Sequence, residues 1–159
     1  MSILEQNQRE QNMIKGKAEE AVAYFEKGFV CSQAVFATYA ESLGLKPEIA
    51  LPIADAFGAG MGGMAETCGA VTGAFMVIGL KYGRVHVENS EAKVKTRRLI
   101  KEFVKQFKKN HGSITCKTLL DVDISTDEGM EAAHEKKLFE THCPKFVRDA
   151  AEILENLIE

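Results

Sequence analysis

Apolar residues recur at helical spacing along most of the chain. Ile14, Ala18, Ala21, Val22 and Phe25 form a first stripe, which Lys27-Gly28 ends. A second helix is predicted from about Ser32, with Val35, Phe36, Tyr39 and Leu43 on one face and Gly44 closing it. Pro47 opens a third, in which Ile49, Ile53 and Phe57 lie four apart and Pro52 is expected to kink or interrupt the run. Thr67 reads as the N-cap of a helix to about Tyr82. That helix is apolar nearly all round, through Val71, Phe75, Met76, Val77, Ile78 and Leu80, the pattern of a helix inside a bundle.

Asn89-Ser90 begins a long helix to about Lys109, with Ile100, Phe103, Val104 and Phe107 as its core stripe and Asn110-His111-Gly112 as its end. A short helix from Thr115 to Leu120 follows, then one capped by Thr126 and running to about Glu140. The last starts at Pro144, with Val147, Ala150, Ala151, Leu154 and Leu157 facing inward. No alternating run is long enough to argue a sheet. The expected fold is all-α, a single-domain bundle of about six to eight helices with a glycine-rich loop before a buried central helix.

Length agrees with one domain, since 159 residues can bury a sizeable core without a covalent staple. The polar stretch 1–12 is expected to be a flexible end, leaving residues 13–159 as the helical domain. It lacks the basic start and apolar core of a secretory signal. The longest apolar run, Gly69 to Leu80, is too short for a membrane span, so the chain is expected in the cytoplasm. Twenty basic against 23 acidic residues give a net charge of −3, and no bulk pull toward nucleic acid or an anionic membrane. Lys93, Lys95, Arg97, Arg98, Lys101, Lys105, Lys108 and Lys109 make the long helix basic, and they read as a solvated face.

Candidate chemistry lies in the four cysteines, Cys31, Cys68, Cys116 and Cys143. None is two or four residues from another, so local zinc, ferredoxin and c-type haem patterns are missing. Any joint site must be assembled by tertiary folding. Each cysteine falls at a predicted helix start, where unpaired backbone N–H groups and the helix dipole favour a thiolate. That is the environment of a low-pKa nucleophile or a metal ligand, and thiols in a reducing cytoplasm are rarely structural disulfides. The plainer alternative is that buried cysteines fill space. Glu131-x-x-His134 has the spacing of one half of a di-iron pair and lacks the other half. His142, beside Cys143, is a candidate ligand or proton carrier. Gly58-Ala59-Gly60-Met61-Gly62-Gly63 lacks the strand that a dinucleotide loop requires.

Cys31-Ser32-Gln33-Ala34-Val35, the segment Gly60 to Gly63, and Glu66-Thr67-Cys68-Gly69-Ala70-Val71-Thr72-Gly73 carry a resemblance. So do Gly79-Leu80-Lys81-Tyr82-Gly83 and the order of Cys116 and Cys143. Together they resemble the redox-active proteins named for a C-GCAxxG-C-C pattern, over roughly Ala18 to Ile158. The resemblance implies that Cys31, Cys68, Cys116 and Cys143 are the site residues, catalytic or metal-binding. It implies redox activity and leaves the redox partner and substrate open.

The glycine loop then gains a role, with Gly62, Gly63 and Gly69 letting backbone N–H groups approach the Cys68 sulfur and any group it holds. The leading reading is thiol–disulfide or electron-transfer chemistry, with Cys68 as best nucleophile. The alternatives are an iron–sulfur cluster or another thiolate-bound metal on the same four sulfurs, and a helical interaction module with structural cysteines. Homo-oligomerisation is compatible with any of these, and disulfide pairing is open.

Overall fold

A computed structural model of the protein describes residues 1–158, and the side chains of all of these but 10–15. Among them the chain forms ten α-helices. These are α1 (Ile3–Lys15), α2 (Lys17–Glu26), α3 (Cys31–Ala40), α4 (Pro47–Asp55), α5 (Gly69–Tyr82), α6 (Ser90–His111), α7 (Cys116–Leu120), α8 (Asp127–Glu135), α9 (Leu138–Thr141) and α10 (Cys143–Leu157). A single 3-10 turn, Glu41–Leu43, closes α3. No strand occurs among the described residues, and one isolated antiparallel bridge joins Thr67 to Thr115. The protein is all-α.

Local signals explain most boundaries. The Asn89 side chain accepts from the Ala92 N–H at 3.1 Å to cap α6, and Thr126 accepts from Gly129 at 3.0 Å to cap α8. Gly112 ends α6 in the left-handed conformation, with φ of 82°. Two elements differ from the sequence reading. The stretch expected to be a flexible end lies mostly within α1, whose start carries a capping box. There the Ser2 N–H donates to Glu5 Oε2 at 2.7 Å, and the Glu5 N–H donates to Ser2 Oγ at 3.2 Å. The helix expected from Thr126 to Glu140 breaks into α8 and α9, because Lys137 turns left-handed (φ 54°) and brings Leu138 into the core. Ile14, the first residue of the predicted α2 stripe, lies outside the described side chains.

Two helices form the middle of the bundle. α3 is buried at every residue from Ser32 to Ala40, while α5 reaches the surface at Leu80. The centre expected at α5 is therefore shared with α3. Their close approach depends on small residues: a Cβ on Gly73 would stand 2.8 Å from the Ser32 carbonyl oxygen, and one on Gly69 3.0 Å from the Ser32 nitrogen. α2 and α4 flank α3, and α10 spans α2, α6, α5 and α3. On α6 the buried stripe is Leu99, Phe103 and Phe107, one position off the predicted stripe at Ile100 and Val104.

Pro52 does not interrupt α4. Its missing N–H removes the helical bond that the Glu48 carbonyl would otherwise accept, and both residues are exposed, so water can serve that carbonyl. Two polar side chains of α3 tie the rest of α4 down. Ser32 Oγ donates to the Ala54 carbonyl at 2.6 Å, and Gln33 Nε2 donates to the Leu51 carbonyl at 3.1 Å.

Candidate functional site

The four cysteines all stand at helix starts. Cys31, Cys116 and Cys143 are the first residues of α3, α7 and α10, and Cys68 is the N-cap of α5. The cap thus falls one residue after the predicted Thr67. Because α3, α5 and α10 pack together, three of these starts converge at one end of the bundle. The fourth is delivered by the bridge. The Cys68 N–H donates to the Ile114 carbonyl at 2.7 Å and the Cys116 N–H to the Glu66 carbonyl at 2.6 Å, around the paired Thr67 and Thr115. In such an antiparallel pair, Cys68 and Cys116 flank the bridge diagonally on the same face.

The result is one cavity of ≈ 110 Å³ that all four cysteines line. Apolar side chains from Phe25, Val30, Leu119, Leu120, Ile124 and Phe139 complete most of its wall, with Phe146 beside Cys143. Cys68, Cys116 and Cys143 are buried, while Cys31 is half-buried. Cys31 and Cys143 lie within hydrogen-bonding reach of one another through their side chains. Cys31 is also near enough to Cys68 and Cys116 for charge on one to be felt by the others. All four thiols are free.

The electrostatics correct the sequence reading. Backbone amides do face the sulfurs, those of Ala70 and Val71 from the start of α5 at Cys68, and those of Cys31 itself and of Ala59 in the glycine loop at Cys31. Burial and neighbouring thiols outweigh them. Desolvation, followed by the charge of Cys31, pushes the Cys68 thiol well above its ordinary range, so it is not a low-pKa nucleophile. Burial, then Cys31 and Asp123, push Cys116 up to about 12. Cys31 is raised too, first by hydrogen bonding of its thiol with Cys143 and then by burial.

The glycine loop acts differently from the expectation. Ala59, Gly60, Met61, Gly62 and Gly63 all have positive φ, a left-handed turn rare in L-chains that costs about 1–2 kcal/mol at each non-glycine residue. The Glu66 N–H bonded to the Gly60 carbonyl at 2.8 Å helps to hold it. A Cβ on Gly60 would be only 2.6 Å from Ala65 Cα, so glycine is required there. The turn places Ala59 and Gly60 on the cavity wall and aims the Ala59 amide at Cys31 rather than Cys68. Gly69 lines the cavity, whereas Gly62 and Gly63 do not.

Among the described residues no group of three or more Cys, His, Asp or Glu side chains stands close enough to hold a metal ion. The four sulfurs share a cavity without forming a ready ligand set for an iron–sulfur cluster. His142 pairs its Nδ1 with Thr141 Oγ1 at 2.8 Å, and His134 lies against Phe139 with ring centroids 5.1 Å apart. Sequence reasoning missed two supports. Gln33 accepts from the Val30 N–H at 3.1 Å while holding α4, which fixes the residue before Cys31. His111 bonds Asp149 at 2.5 Å and packs edge-on against the Phe146 ring that lines the cavity. The Ser-Gln after Cys31 was the visible signal for the first, and nothing local marks the second.

Residues 29–157 match the family described as "Putative redox-active protein (C_GCAxxG_C_C)", a span holding all four cysteines and every element that lines the cavity except α2. The chain belongs to this C_GCAxxG_C_C family. Neither a curated protein nor a solved structure matches it. The four cysteines fall on the convergent helix starts, and the Cys-Gly-Ala-x-x-Gly block, Cys68 to Gly73, supplies the two glycines of the α3–α5 contact. A redox role in general terms goes with membership. Among the described residues no helix is long and apolar enough to cross a membrane.

Proposed function

We propose that this C_GCAxxG_C_C protein is a dithiol–disulfide redox protein in which Cys31 and Cys143 form the exchanging pair. The observation that carries the reading is the cavity that all four thiols line, in which Cys143 is the neighbour that acts most strongly on the Cys31 thiol. Cys31 is half-buried as a residue where Cys68 is buried, which favours it over Cys68 as the point of exchange. The step is a two-electron oxidation. One sulfur of the pair displaces a thiolate from a partner's disulfide, and the other then attacks that mixed disulfide. The protein ends with one S–S bond, and the partner leaves with two thiols that hold both electrons and both protons.

Titration of free thiols after mild oxidation tests this. The count should fall in pairs and recover with a dithiol reductant; Cys31→Ser and Cys143→Ser should each lose the first step, and Cys68→Ser should keep it. Thiols that stay inert would leave the helical interaction module. One observation favours the metal reading, the presence of four thiols on a single cavity. Visible absorbance with stoichiometric iron in protein purified without oxygen would establish that reading instead.

A further inference from the structure

The cavity wall bears on what reaches the thiols. Apart from the four cysteines, the lining is backbone and apolar side chain, with no charged, hydroxyl or amide side chain among the described residues. Bringing a charged group there would strip its water without supplying a partner, a cost that grows with the depth of burial. The Asp123 carboxylate, close enough to raise Cys116 and paired with Lys117 at 3.4 Å, stands outside the cavity lining. Size is restrictive as well. An apolar cavity of about 150 Å³ holds a benzene-sized molecule, so ≈ 110 Å³ suits about four heavy atoms.

We infer that the thiols exchange with small, uncharged, apolar disulfides that enter the cavity whole, and discriminate against charged disulfides. This rests on the dithiol reading and adds the substrate class. With dimethyl disulfide the chemistry balances. A sulfur of the Cys31–Cys143 pair, its proton released, attacks one sulfur of the reagent, forming a protein–S–S–CH3 bond and expelling methanethiolate, which takes up a proton. The second sulfur of the pair attacks the mixed disulfide, a Cys31–Cys143 bond closes, and a second methanethiol leaves. The protein thiols lose two electrons and two protons, and dimethyl disulfide gains both.

The experiment compares oxidation of the reduced protein by dimethyl disulfide, by dicationic cystamine and by dianionic dithiodiglycolate. Each rate is divided by that for the same protein in denaturant, which removes intrinsic reactivity. The folded protein should prefer dimethyl disulfide over both charged reagents by more than about tenfold. Normalised rates that ignore charge would overturn the substrate class and leave the dithiol reading standing. No reversible disulfide with any of the three, nor with the small neutral oxidant diamide, would overturn both.

Discussion

At the scale of single residues, position and environment pull the thiols in opposite directions. A helix start offers N–H groups that favour the anion, and those amides are present at Cys31 and Cys68. Burial wins, and Cys116 sits at about 12 with the other two also raised. The thiolate is the reactive form, so below pH 11 alkylation of Cys116 in the folded protein should speed up about tenfold per pH unit. A rate already level above pH 8 would contradict the raised pKa; rates are best read by mass spectrometry after brief labelling. The same shift affects stability. An unfolded thiol loses its proton near 8.5, so between there and about 12 the unfolded chain binds fewer protons than the folded one, and stability falls as pH rises. Cys116→Ala should flatten that decline in thermal melts run across the window. Which residues start helices was legible, because caps and glycine stops are local signals. The direction of the pKa shifts was not, because burial is decided by what α7, α9 and α10 bring around the sulfurs.

At the scale of elements, the α3–α5 contact and the α3–α4 tie set the cavity. Gly73→Ala would push a methyl to 2.8 Å from the Ser32 carbonyl and 3.1 Å from Val35 Cβ, and should destabilise the fold by about 1–3 kcal/mol. Gly79→Ala, in the same helix with nothing within 4 Å, should instead stabilise by about 0.5–1 kcal/mol. Urea unfolding of the two variants reads the contrast directly; equal effects would mean that helix propensity, not interhelical distance, governs α5. Ser32→Ala removes one of two donors to the Ala54 carbonyl, which keeps the Phe57 N–H at 3.0 Å, and should cost about 0.5–1.5 kcal/mol. The spacing of Gly69 and Gly73 announced a close approach, since two glycines four apart share one helix face. The left-handed turn at 59–63 was legible only as a glycine-rich loop. Ala59 and Met61 adopt positive φ there because surrounding hydrogen bonds impose it, and no propensity rule would place them so.

For the whole molecule, the all-α class followed from the 3.6-residue period repeated along the chain. The helix count rose because α1 is announced by a capping box rather than by apolar periodicity, and because α8 and α9 are split by a turn at Lys137. Assembly of the four sulfurs on one cavity could not be read from spacings, since they lie at least 27 residues apart in a chain whose folding alone makes them neighbours. Their joint placement is the claim on which the redox account depends. Its most direct test is peptide mapping of the protein after mild oxidation and quenching of the remaining thiols. The account predicts that the first cross-link to accumulate joins Cys31 to Cys143, with the intact mass lower by a pair of hydrogens and restored by dithiothreitol. A first cross-link that joins neither of these residues, or none between any of the four cysteines, would contradict it.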